Sequence, residues 1–101
     1  MKKVRRLLIS PQAREDIQQA IDYYNTCQKG LGKRFHSEVK RTFSSIQKTP
    51  AFQVRYDDIR CCPLRVFPYM IHYTFEDETV SVWGVIGTAQ DPEKHWKLVK
   101  H

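Results

Sequence analysis

Two arginines, Arg60 and Arg65, flank the segment "CCPL" and lead into "VFPYMIHYTF". A guanidinium forks onto two phosphate oxygens, which makes arginine suited to holding a phosphodiester. Chemistry at a phosphate needs such cations. It also needs one group to accept a proton and another to donate one. His95, whose ordinary pKa lies near about 6.5, has the right chemistry for a donor. His72 is a second imidazole, inside an otherwise apolar strand. Each of these residues also has a plainer reading. Arg60 and Arg65 fit solvated edge arginines or contacts for an acidic protein. His95, beside Trp96, fits a packed or exposed tail residue, and His72 a packed strand residue.

Tyr69 and Tyr73 share parity with Ile71 and therefore one face of a strand. Turned toward a helical layer, they are core residues with hydrogen-bonded hydroxyls. Turned toward a groove, they can stack a base. Cys61, Cys62, His72 and His95 do not follow metal-ligand spacing, so no metal and no cofactor are expected. No phosphate loop of the Walker or dinucleotide type is present, and "KGLG" (29–32) is a turn signal. Cys61 and Cys62 are adjacent, so in a strand they point to opposite faces. They are read as plain buried thiols.

These residues need a frame. "VRRLLIS" (4–10) reads as a first strand. Ser10-Pro11 then gives a helix start, serine as N-cap and proline at the first helical position. Glu15 and Asp16 lie early in that helix, where negative charge suits the dipole. Ala13, Ile17, Ala20, Ile21 and Tyr24 form its apolar stripe, and the glycines of "KGLG" end it near Gln28. Leu31, Phe35, Val39, Phe43 and Ile46 mark the buried face of a second helix, which Pro50 stops. Lys33, Lys40, Arg41 and Lys48 lie mostly away from that face. Arg34 and Glu38, four residues apart, are placed to pair. So short a link makes the two helices an antiparallel hairpin.

The rest is β-like. Residues 58–67 read as a strand whose proline puts it at an edge or a bulge. Residues 69–75 and 80–87 follow, with a turn at 76–79. The expected fold is therefore α+β: an N-terminal strand, an antiparallel helical hairpin, then a three-stranded antiparallel meander. The helices pack on one face of a curved, mostly antiparallel sheet, and the other face is left partly free for a groove.

The chain has 101 residues, is 41% hydrophobic and carries a formal charge of +6. That suits one domain spanning 1–101 and favours an anionic partner, either nucleic acid or an acidic protein. The start "MKKVRRLLIS" has too short an apolar run for a signal peptide. No stretch approaches the roughly 20 apolar residues of a spanning helix. Three cysteines, an odd number, agree with a reducing, cytoplasmic setting without a membrane.

Five segments, in order, carry a resemblance: "ISPQAREDIQQAIDYYN", "GLGKRF", "EVKRTFSSIQKTP", "RCCPLRVFPYMIHY" and "VWGVIGTAQDPEKHW". Together they resemble the RelE/ParE superfamily of type II toxin–antitoxin toxins, often described as plasmid stabilisation proteins. The resemblance covers nearly the whole chain. It implies a small basic cytoplasmic toxin, wrapped by an extended segment of a cognate acidic antitoxin. The RelE branch cleaves mRNA in the ribosome, and the ParE branch inhibits DNA gyrase. The resemblance places Arg60 and Arg65 on the family's basic strand. It makes Arg60, Arg65, Tyr69 and Tyr73 candidates for contacting nucleic acid or another target. Arg60, Arg65 and His95 are the catalytic candidates of a nuclease. Many nuclease relatives end the last strand with His-x-x-Arg-Asp-Pro. Here Gly87 stands at the histidine position and Gln90 at the arginine position, so a binding inhibitor of the ParE kind is favoured over an mRNA endonuclease. A third reading is a degenerate, non-toxic domain that keeps only antitoxin or nucleic-acid binding.

Overall fold

The protein is described here from a computed structural model, which covers residues 4–50, 54–56 and 58–88. The elements run β1 (Arg6–Ile9), α1 (Pro11–Cys27), α2 (Leu31–Lys48), β2 (Val54–Tyr56), β3 (Ile59–Pro63), β4 (Tyr69–Glu76) and β5 (Thr79–Gly87). One five-stranded sheet has the order β1-β5-β4-β3-β2. The β2–β3, β3–β4 and β4–β5 pairs are antiparallel, whereas β1 joins β5 in parallel. A parallel neighbour requires a long crossover. The helical hairpin is that crossover, which is how it comes to cover one face of the sheet.

Both helices begin where local chemistry allows. Ser10 caps α1: its hydroxyl accepts the Ala13 amide at 3.0 Å and donates to the Trp83 carbonyl at 3.2 Å. Gly30 precedes α2 with φ +87°, a left-handed conformation that costs glycine little. Two residues on, Gly32 meets α1. A β-carbon there would lie 2.5 Å from the Ile21 carbonyl oxygen. The Gly32 amide instead donates to Asn25 Oδ1 at 2.9 Å. The hairpin is thus closed by backbone approach as well as by its apolar stripes.

The core lies between hairpin and sheet. Ala13, Phe35, Val39 and Ile46 meet Ile71, Tyr73, Val80, Val82 and Val85. Val80 and Val82 share parity, but Val85 does not. A bulge reconciles them: Tyr73 pairs with Val82 and His72 with Gly84, leaving Trp83 as the extra residue of β5. A bulge of this kind re-aims side chains and sharpens the local twist. Trp83 is pushed to the surface, where its indole N–H donates to Thr74 Oγ1 at 2.9 Å.

Beyond Ile9, β5 has no strand on the β1 side, and helix α1 takes over its backbone groups. The Ser10 amide donates to the Val82 carbonyl, and the Val85 amide donates to Asp16 Oδ2 at 3.1 Å. Asp16 lies beyond the first turn of α1, so its carboxylate serves the edge of the sheet and not the helix dipole.

Four further expectations change. Residues 58–67 do not form one strand: β3 ends at Pro63, and 64–68 is a loop. A proline without an N–H sits readily at a strand's last position. The strand β2, not anticipated, pairs with β3, so four antiparallel strands follow the helices. The sheet's far face is not bare. Ile59, Cys61, His72 and Ile86 are buried although they lie outside the main core cluster. Finally, Glu38 does not pair with Arg34 but turns inward, to the 64–68 loop. The opposite orientation of the two cysteines follows the sequence reading. Cys62 joins the core, while Cys61 Sγ lies 3.4 Å from His72 Nδ1.

Candidate functional site

The loop between β3 and β4 carries Arg65, and three devices fix it. Glu38 Oε2 accepts the amides of Arg65 and Val66, the latter at 3.0 Å. Two N–H groups converging on one carboxylate make a strong, charge-assisted anchor. Next, the Leu64 amide donates to the Tyr69 carbonyl at 2.9 Å and the Tyr69 amide to the Phe67 carbonyl at 2.8 Å. Last, Phe67 and Tyr69 pack with Tyr24 and Phe35, ring centroids 4.9 to 6.1 Å apart, mostly edge to face. The outcome is a well-supported loop that leaves Arg65 and Val66 exposed while Leu64 and Phe67 are buried.

Arg60 is on β3, half-buried, opposite Tyr73. The two arginines are therefore not neighbours on one strand, because β3 ends between them. Tyr73 is wholly buried, and its hydroxyl donates to the Pro50 carbonyl at 2.8 Å. This corrects its candidacy as a target contact: the bulge and the parity of β4 commit it to the core. Tyr69, by contrast, is half-buried at the start of β4 and pairs with Gly87, the last residue of β5. Its phenol pKa is raised, first by burial and then by the nearby Asp16 carboxylate. A raised phenol stays protonated at neutral pH, so it donates hydrogen bonds and is a poor base. Burial also raises the phenol of Tyr24. His95 and Gln90 lie outside the described residues.

At the end of β5 the structure thus sets Tyr69 beside Gly87, a residue with no side chain to move a proton. The anchoring role of Glu38 was missed in the sequence. A signal was available: Glu38 is three residues from Phe35 and next to Val39, on the buried stripe of α2. A carboxylate there must find a partner or pay for desolvation.

Two clefts flank α2. One, of about 660 Å³, lies between β1, α1 and α2 and is walled by Leu7, Ile9, Ile17, Ile21, Val39 and Phe43. The other, of about 360 Å³, lies between α2 and the 64–68 loop and is lined by Lys33, Arg34, Ser37, Glu38, Arg41 and Val66, among others. No helix among the described residues is long and apolar enough to cross a membrane.

Comparison with known proteins agrees with this architecture. The family model described as ParE toxin of type II toxin-antitoxin system, parDE, matches residues 7–92. Among solved structures, the chain is similar to one from the chromosomal ParDE toxin–antitoxin system of P. aeruginosa. The TM-score is 0.75 at 10% identity, covering 83% of this chain and 96% of that one. It is also similar to a chain of the toxin–antitoxin complex RelBE2 of Mycobacterium tuberculosis, with TM-score 0.61, 15% identity and coverage of 89% and 98%. A mutant of the E. coli toxin RelE in the free state gives TM-score 0.57, 20% identity and 97% coverage of both chains. Among curated proteins, none matches the sequence.

Proposed function

We propose a function on the premise that this chain belongs to the ParE toxin family of type II toxin–antitoxin systems, whose model matches residues 7–92. The chain is the toxin of such a pair. It acts by binding, with DNA gyrase as its target, and a cognate acidic antitoxin neutralises it. The observation that carries the binding reading is Gly87. It ends β5 beside Tyr69, where an mRNA-cleaving relative would present a histidine. Glycine offers the leaving oxygen no proton, and the Tyr69 phenol beside it, with its raised pKa, is a weak acid. An arginine such as Arg65 therefore holds an anion without an imidazole to complete the cleavage. Arg60, Arg65 and Tyr69 then serve as contacts for the target.

The apolar cleft between β1, α1 and α2 supports an antitoxin partner. Its wall of Leu7, Ile9, Ile17, Ile21, Val39 and Phe43 suits the apolar face of an amphipathic segment. Arg14, His36 and Lys40 on the same cleft suit acidic residues at that segment's margins.

Induction of the protein without its partner, with translation and DNA supercoiling followed separately, tests the target. Loss of supercoiling with intact mRNA is the expected result. Codon-specific mRNA cuts that vanish in Arg65→Ala would establish the nuclease reading instead. Normal growth on strong induction would point to a domain that has kept binding and lost toxicity. A pull-down from the native operon should recover a small acidic partner.

A further inference from the structure

The cleft between α2 and the 64–68 loop differs in kind from the apolar one. Its walls carry Lys33, Arg34 and Arg41, with Ser37 between them. Among the described residues, none of these three cations has an ion-pair partner. The cleft's carboxylate, Glu38, is buried and directed at the amides of Arg65 and Val66. The acid is thus spent inside the fold, and the cations face solvent.

The same polarity runs along the whole hairpin. Helix α2 bears Lys33, Arg34, Lys40, Arg41 and Lys48 against the one acid Glu38, whereas α1 bears Glu15, Asp16 and Asp22 against Arg14. Arg34 and Arg41 are seven residues apart, about 10.5 Å along a helix axis. Projected on a duplex axis, that span covers about three phosphate steps of one strand, at about 3.4 Å of axis each. The cleft also presents a serine hydroxyl, a further donor for a phosphate oxygen.

We propose that this cleft holds the phosphate backbone of a nucleic acid, with Lys33, Arg34 and Arg41 as the phosphate contacts. An acidic polypeptide is the competing occupant, and the lining argues against it. Protein interfaces need buried apolar anchors. Here Val66 is the exposed apolar residue, while the anchors cluster in the other cleft. The binding is to backbone and not to bases, so it is insensitive to sequence and sensitive to salt. The proposal goes beyond the inhibitor reading and does not depend on which target is struck.

Fluorescence anisotropy of the full chain with short labelled single strands of RNA and of DNA tests it, across roughly 50 to 200 mM salt. Each released phosphate contact changes the slope of log K against log salt by about 0.7 on a single strand. The triple variant Lys33→Gln/Arg34→Gln/Arg41→Gln should therefore flatten the slope by about 2, and Arg34→Gln alone by about 0.7. Arg14→Gln/Lys40→Gln, on the apolar cleft, should leave the slope in place. An unchanged slope in the triple variant would overturn the proposal. So would equal flattening by the control, which would mean a diffuse charge effect. Displacement of the oligonucleotide by polyglutamate at equal charge would assign the cleft to acidic polypeptide and also overturn it. Supercoiling and growth in cells remain separate readouts, so failure here leaves the gyrase reading standing.

Discussion

Asp16 and Val85, 69 residues apart, meet at 3.1 Å, carboxylate to backbone amide, where β5 loses its neighbouring strand. The contact satisfies a sheet edge with a helix side chain. Gln12 Nε2 steadies it by donating to the other oxygen at 2.9 Å. Asp16→Ala leaves the Val85 amide without its acceptor and should cost about 1–3 kcal/mol. Asp16→Asn keeps an acceptor oxygen and should recover most of that. Thermal melting followed by circular dichroism separates the two, at about 4–8 °C per kcal/mol for a domain of this size. The same variants carry a second readout. Asp16 helps raise the Tyr69 phenol, so removing its charge should move that titration down toward the ordinary tyrosine value.

Glu38 is the second carboxylate with a long-range task, and its removal should be felt at the 64–68 loop. Glu38→Ala leaves the Arg65 and Val66 amides unanswered and should destabilise by about 1–3 kcal/mol. It should also speed amide exchange at these two residues relative to the core strands. Glu38→Gln retains one oxygen and should hold the loop far better. Equal exchange in wild type and Glu38→Ala would show that the aromatic packing of Phe67 and Tyr69 fixes the loop by itself.

Gly32 tests the helical hairpin. A β-carbon there would meet the Ile21 carbonyl oxygen at 2.5 Å and Asn25 Oδ1 at 2.6 Å. Backbone cannot swing aside as a flexible side chain can. Gly32→Ala should therefore destabilise by about 1–3 kcal/mol, in the range of overpacked cores, despite alanine's better helix propensity. A rise in melting temperature would mean that the helices separate at little cost.

The helices were legible because their punctuation is local. Ser10-Pro11 starts α1 and Gly30 precedes α2, and each acts through neighbours within four residues. The sheet was legible in its strands but not in its breaks. Residues 64–68 carry strand-forming types, Val66 and Phe67 among them. What removes them from β3 is Glu38, 27 residues upstream of Arg65. The bulge at Trp83 likewise reflects packing on both faces of β5, which alternation along one strand does not reveal. Tyr73 illustrates the consequence for function. Its type suits either core or groove, and the pairing of β4 with β5, together with the Pro50 carbonyl, decided for the core. The site residues were therefore nameable one at a time, while their grouping was tertiary.

Cys62 contributes a pH dependence to the fold. Burial, then the adjacent Cys61, pushes the Cys62 thiol up to about 11 from an ordinary 9.0. A raised value means that the folded chain keeps this proton more tightly than the unfolded chain. The corresponding stability is fully present below pH 9.0 and is lost as pH rises through the interval up to about 11. Cys62→Ala removes the titration while creating a small cavity. It should be less stable at neutral pH, yet lose less stability across that interval, as urea midpoints at a series of pH values would record. Alkylation gives an independent reading. Cys27 is exposed whereas Cys61 and Cys62 are buried, so iodoacetamide should add once to the native chain and three times in urea. Rapid native labelling of Cys62 near neutral pH would mean that the core opens there, and the pH argument would fall with it.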